Sequence, residues 1–232
     1  MPELSIVSRS THQPLEPAGE LVSKLRRYFE TGATKSLAWR LSQLDALEHF
    51  LMEREGDILA AARADLGKPE TEGFGSEIGM VLRELRFARK NLRAWMKPRR
   101  VRTSLLALPG RSYIYREPLG VTLIIGAWNY PFNLIVLPLI GAIAAGNCAA
   151  LKPSELAPHV SALLAAWIPK YLDTKAIRVV EGGPPETTAL LRQNWDHIFY
   201  TGNGRVGRVV MEAAAKHLTP VTLELGGKSP CI

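Results

Sequence analysis

LGVTLIIGAWNYPFNLIVLPLIGAIAAGNCAALK, residues 119–152, is the stretch on which the fold turns. No residue from Leu119 to Leu151 is charged, a length that could cross a bilayer if it formed one helix. Asn129, Pro131, Asn133, Pro138 and Asn147, with Gly126, Gly141 and Gly146, interrupt it repeatedly. A buried strand, a loop, a helix and a second buried strand explain the run better. Strands of a parallel sheet are covered on both faces and read as continuous apolar runs. The expectation is therefore a strand–loop–helix–strand unit and no membrane span.

Further β-branched or apolar runs follow toward the C-terminus. VTLIIGA (121–127), CAALK (148–152), AIRVVEG (176–182), DHIFYTG (196–202) and PVTLEL (220–225) alternate with helical stretches near 133–145, 156–168, 185–192 and 204–217. Five strands alternating with four helices predict an α/β fold with a doubly wound, mostly parallel sheet. Toward the N-terminus the pattern is helical over 20–29, over 36–64 with Gly56 as a possible interruption, and over 75–96 before Pro98. Within the last of these, Leu82, Leu85, Leu92 and Trp95 are expected to pack inward. VRTSLLAL and SYIYRE around Pro109–Gly110 predict a β-hairpin arm at 101–117. The expected organisation is an N-terminal arm (1–18), a helical part (19–100), the hairpin (101–117), a dinucleotide-binding domain (118–222) and the start of a truncated catalytic domain (223–232).

Composition narrows the class. The chain has 47% hydrophobic and 22% charged residues, enough to build a core and too few charges for disorder. Two cysteines, Cys148 and Cys231, both in apolar or strand-like sequence, argue against a disulfide framework and for a reducing, cytoplasmic setting. The first twenty residues are polar and proline-containing, with no apolar core of a signal peptide. The net charge of +7 concentrates between Arg83 and Arg102. Arg86, Arg89, Lys90, Arg93 and Lys97 share one helix face, which reads as a solvated face beside an oligomer contact or, less favourably, as an anionic or nucleic-acid surface. The former is preferred, and no nucleic-acid partner is expected.

Four motifs close or follow strands, and in such sheets ligands sit beyond the C-terminal strand ends. AWNYPF (127–132) sets Asn129 in a loop after an apolar strand, where its amide could cap a helix or donate to a developing oxyanion. LKPSE (151–155) puts Lys152 at a strand end with Glu155 nearby, a donor and an acceptor able to grip a ribose diol. YTGNGRVG (200–207) carries G-x-G-x-x-G between strand and helix. Gly202 and Gly207 would let the backbone approach a pyrophosphate at a helix N-terminus. Trp128 and Thr201 join this expected cofactor-binding set. LELGGK (223–228) holds Glu224 between two leucines, apolar surroundings that raise a carboxyl pKa and suit proton transfer. Its distance from the glycines also suits a ribose-binding acid, except that this turn is the fourth crossover rather than the first. No metal is expected.

In order and spacing, EPLGVTLIIGAWNYPFN, LKPSE, YTG(x)₄G and LELGGKSP resemble the aldehyde dehydrogenase superfamily. With ETTALL and AAAKHLTPVTLELGGKSPC, they look most like its class 3 branch, which acts on fatty and aromatic aldehydes. The resemblance covers residues 20–232 and implies a Rossmann-like nucleotide domain, NAD or NADP, an aldehyde substrate and a homodimer joined through the hairpin. It implies that Asn129 stabilises the oxyanion and that Glu224 activates the water that hydrolyses a thioester. It also implies that Lys152 and Glu155 hold the adenosine ribose, and that Gly202 to Gly207 lies near the pyrophosphate. In the family the nucleophilic cysteine lies a few tens of residues past LELGGK. Neither Cys148 nor Cys231 matches it, so the expectation is an N-terminal half that is inactive alone. A dinucleotide-binding or oligomerisation module without catalysis is the alternative.

Overall fold

A computed structural model describes residues 16–231, so nearly all of the arm expected at 1–18 lies outside the described residues. The N-terminal part folds as α1 (Ala18–Glu30), α2 (Leu37–Glu53), α3 (Glu55–Leu66), the short α4 (Glu70–Gly73), a π-helical turn (Phe74–Gly79) and α5 (Met80–Trp95). A two-stranded antiparallel ribbon, β1 (Arg99–Val101) and β2 (Ser112–Ile114), follows. Then come β3 (Val121–Ile125), α6 (Asn133–Ala145), β4 (Cys148–Lys152), α7 (Pro158–Tyr171), β5 (Ile177–Val179), α8 (Pro184–Leu191), β6 (His197–Gly202), α9 (Gly204–Ala215) and β7 (Val221–Leu225).

The five strands β3 to β7 pair in the order β5-β4-β3-β6-β7, every pair parallel. Right-handed crossovers carry α6 and α7 over one face as the chain steps from β3 to β5. The return to β6 and β7 then puts α8 and α9 on the other face. β3 and β4 are buried at every residue, which is why their sequences lack alternation. α6 is apolar all round for the same reason and stops over β3 and β4. Asp65 at the end of α3 begins α7, its carboxylate accepting from the His159 N–H at 3.0 Å and the Val160 N–H at 2.9 Å. Arg40 of α2, buried, donates from Nη1 to the Ala144 carbonyl at 3.0 Å, satisfying a C-terminal carbonyl of α6.

α1 is tied to the far side of the chain. Arg26 Nη1 donates to both carboxylate oxygens of Asp196, at 3.2 and 2.9 Å, and Nη2 donates to the Asn194 carbonyl at 2.9 Å. Asp196 in turn accepts from the Val121 N–H at 2.7 Å, so one carboxylate joins α1, β3 and the entry to β6.

Several boundaries differ from expectation. The helix expected over 36–64 is two helices, broken at Arg54 rather than Gly56. There the Arg54 guanidinium stacks over Trp167 at 3.7 Å and donates to the Tyr171 hydroxyl, a tertiary contact that overrides helix propensity. The helix expected over 75–96 starts earlier, at Glu70, and runs through the π turn. Trp95 is exposed and packs against Phe87 on the surface, whereas Leu82, Leu85 and Leu92 do face the core. The hairpin strands are only three residues each and begin at Arg99, with a 3₁₀ turn over Leu105–Ala107. On the basic helix, Arg86 pairs with Glu48, and Arg89 pairs with Asp45 and Glu48 of α2, a solvated inter-helix network. Among the described residues no helix is long and apolar enough to cross a membrane.

Candidate active site

The C-terminal ends of β3, β4, β6 and β7 open onto a cleft of about 1370 Å³. Seven of the eight residues singled out from sequence line it: Trp128, Asn129, Lys152, Glu155, Thr201, Gly202 and Glu224. Gly207 does not. A side chain there would sit 3.1 Å from Leu225, so this glycine lets α9 close on β7. Gly202 also answers to packing, because a Cβ would fall 2.2 Å from the Tyr200 hydroxyl, which donates to the Asn203 carbonyl at 3.3 Å. Asn203 caps α9, its Oδ1 accepting from the Val206 N–H at 3.0 Å. Close packing under the turn thus explains both glycines, and the turn still presents a helix N-terminus to the cleft.

Lys152 is the most constrained polar group in the cleft. Its side chain is 1% exposed; Nζ donates to the Pro153 carbonyl at 2.6 Å and lies 3.6 Å from the Glu155 carboxylate. Burial pulls this ammonium below the usual lysine range, with Glu155 working in the opposite direction. Three donors on a buried ammonium, one of them well used, leave hydrogen-bonding capacity at the cleft wall. Thr201 Oγ1 is likewise buried, with no partner among the described residues. An orphaned hydroxyl and an under-used ammonium at the ends of β6 and β4, on either side of β3, suit a ligand carrying several hydroxyls, such as a nucleotide ribose. The residues present therefore fit a dinucleotide.

Glu224 departs from expectation. It is exposed, on the cleft floor, and its leucine neighbours do not wall it. Successive strand residues point to opposite faces, so Leu223 and Leu225 turn toward Gly207 of α9 while Glu224 turns away. Cys231 is exposed past β7, not within apolar surroundings, while Cys148 is fully buried in β4. Neither cysteine lines the cleft.

Sequence reading missed what holds the Asn129 loop. Lys68 and Glu77 form a buried ion pair at 2.6 Å directly beneath it. Lys68 Nζ donates to the Asn129 carbonyl at 2.9 Å, and Glu77 accepts from the Asn133 N–H at 2.9 Å. No motif spacing reports a pair that belongs to one segment and serves another. The α8 edge, Pro184 and Thr187, also lines the cleft without having been singled out.

The sequence model described as the aldehyde dehydrogenase family matches residues 7–232. The chain belongs to the aldehyde dehydrogenase family. Aldehyde dehydrogenase family 3 member H1 of Arabidopsis thaliana is 54% identical over 93% of this chain and 44% of its own length. A solved aldehyde dehydrogenase of Staphylococcus aureus in a substrate-bound state is 44% identical, with a TM-score of 0.89 over 91% of this chain and 46% of its own. That of Mycobacterium tuberculosis, solved with NAD+, is 29% identical, with a TM-score of 0.82 over 93% of this chain and 45% of its own. This aldehyde dehydrogenase chain thus spans less than half the length of the relatives it matches.

Proposed function

We propose that this chain supplies the dinucleotide-binding wall, the oxyanion donor and the general base for NAD(P)-dependent oxidation of an aldehyde to a carboxylic acid. The observation that carries the reading is Lys152, a 1% exposed ammonium at a strand end with donors to spare. Lys152 and the exposed carboxylate of Glu155 grip the adenosine ribose diol, one as donor and the other as acceptor. Thr201 lines the same wall, and Trp128 offers apolar surface at its edge. The N-terminus of α9, beside Gly202, faces the pyrophosphate with its positive dipole end. When bound, the nicotinamide accepts the hydride that leaves the aldehyde carbon.

Asn129 donates its amide N–H to the oxygen that becomes negative when a thiolate adds to the aldehyde. Glu224, exposed on the floor, takes a proton from the water that then cleaves the resulting thioester. Burial pushes the Cys148 thiol up to about 12, a value that leaves almost no thiolate at neutral pH. We assign the attacking thiol to a residue outside these 232. The exposed Leu105, Leu106, Leu108 and Tyr115 of the hairpin are the surface for a second copy of the chain. Two unpaired cysteines support a reducing compartment such as the cytoplasm.

Calorimetric titration with NAD+ and NADP+ tests the cleft without requiring turnover. Lys152→Met should weaken binding of the preferred dinucleotide by at least about tenfold, the scale of one charge-assisted hydrogen bond. Its thermal midpoint should hold, because a desolvated ammonium is removed with little loss of packing. A folded Lys152→Met that binds as tightly as the wild type would remove the support for this reading.

A further inference from the structure

The buried pair Lys68–Glu77 lies outside the cleft, yet its bonds end on both sides of the loop that carries Asn129. Lys68 is 8% exposed and Glu77 fully buried. Stability gives no reason to keep such a pair, since apolar residues of equal volume in its place are often neutral or stabilising. What an apolar couple could not do is bond to backbone. Lys68 Nζ donates to Glu77 at 2.6 Å and to the Asn129 carbonyl at 2.9 Å, and rests 4.0 Å over the Tyr130 ring. The other oxygen of Glu77 accepts from the Asn133 N–H at 2.9 Å, the first residue of α6. Asn133 then donates from Nδ2 to the Ser76 carbonyl at 2.7 Å, closing the loop onto the segment that carries Glu77.

Both ends of the 129–133 loop are therefore fastened to one carboxylate and one ammonium. Glu77 reaches its place from the π turn Phe74–Gly79, and single π turns inside helices occur frequently at functional sites. The Asn129 side chain, by contrast, is exposed and has no hydrogen bond to any described residue. Its direction is set by its own backbone, and that backbone is held by Lys68.

We propose that Lys68 and Glu77 are positioning residues that aim the Asn129 amide at the oxyanion. The proposal rests on the oxyanion role given to Asn129 above. One preorganised donor is worth about 10²–10³ in kcat, and a misplacement of about 1 Å can cost 10²-fold. Loss of the clamp should thus cost turnover while leaving the dinucleotide wall, on β4 and β6, intact.

The test uses the full-length protein carrying K68M/E77Q, which removes both charges and leaves an amide oxygen for the Asn133 N–H. The expected result is a folded enzyme with calorimetric NAD(P)+ affinity unchanged and kcat lowered about 10- to 100-fold. Asn129→Ala made in the wild type should lower kcat about 10²-fold or more, and made in K68M/E77Q should add little further. Should K68M/E77Q not fold, the same cycle is run with Lys68→Gln. Sub-additive losses support the clamp, and fully additive losses overturn it. Unchanged kcat in a folded K68M/E77Q, with Asn129→Ala still slow, overturns positioning and leaves the role of Asn129 standing. Unchanged kcat in Asn129→Ala removes the role of Asn129 and the clamp's purpose together.

Discussion

β4 and β7 belong to the same sheet and take part in the same parallel ladder, but they live in different surroundings. β4 is buried at all five positions, with α6 over one face and α1 over the other. β7 is partly exposed over Val221–Leu223 and exposed at Glu224 and Leu225. α9 covers its Leu223 and Leu225 side, while Thr222 and Glu224 form the floor of the cleft. β4 pairs with both β3 and β5, whereas β7 is an edge strand paired with β6 alone. Hydrogen bonding fixes the position of a strand, and only a covering layer makes it core. Glu224 sits on the uncovered strand, Lys152 on the covered one.

The largest contrast should appear on truncating one leucine in each strand. Leu151→Ala, in β4 and fully buried, should cost about 3 kcal/mol, the usual price of a large core deletion. Leu225→Ala, at a residue 45% exposed, should cost less than about 1 kcal/mol. Urea unfolding of both variants decides it, and similar costs would mean that the β7 end is not open.

The two cysteines read the same contrast chemically. Cys231 should react with a thiol reagent in the native protein, whereas Cys148 should react only on unfolding. Burial, with the nearby Asp173 carboxylate, raises the Cys148 thiol to about 12. The neutral thiol is the form the fold favours, so its contribution is full below the ordinary thiol value. It is lost as pH climbs from that value toward about 12. Wild-type stability should fall over that window by about 1.4 kcal/mol per pH unit from this group, and Cys148→Ala should flatten the slope. A Cys148 that labels as fast as Cys231 would erase the distinction.

The smallest effect belongs to His197, half-buried on the floor side of β6, where burial alone lowers its imidazole below the usual value. The unfolded chain takes up the proton first as pH falls. Stability should therefore be full above the ordinary histidine range and should decline below it until the folded-state value is passed. His197→Gln should flatten this acid limb in unfolding experiments between about pH 7 and 5. A steep limb in the wild type, lost in the variant, would show the floor to be better sealed than its exposure indicates.

The sheet was legible because its strands obey one rule. VTLII and CAALK, covered on both faces, are apolar without alternation, and the helices between them have the expected length and order. VTLEL was legible too, but differently from the reading it received. Its period of two, with Thr222 and Glu224 on one side, signals a strand with a single buried face. Treating it as another apolar run gave Glu224 walls it does not have. Seven of eight site residues reached the cleft because strand-end motifs converge wherever a parallel sheet forms. Gly207 failed because a glycine needed for helix–strand packing looks identical in sequence to one needed for a phosphate. The break at Arg54 and the clamp at Lys68–Glu77 depend on partners 113 and 61 residues away, Trp167 and Asn129, and local pattern carries no trace of either.

The tie between α1 and Asp196 sets a schedule. Arg26 and its carboxylate are 170 residues apart, so α1 leaves the ribosome long before this anchor is made. At about 5–20 residues per second, that interval is on the order of ten to thirty seconds. Until β3 and β4 have been made, Leu21, Val22 and Leu25 have no sheet to cover. α1 is thus fastened in two stages, by packing on β3 and β4 and then by the ion pair at Asp196, and a nascent chain stalled before residue 196 would carry it packed but untied.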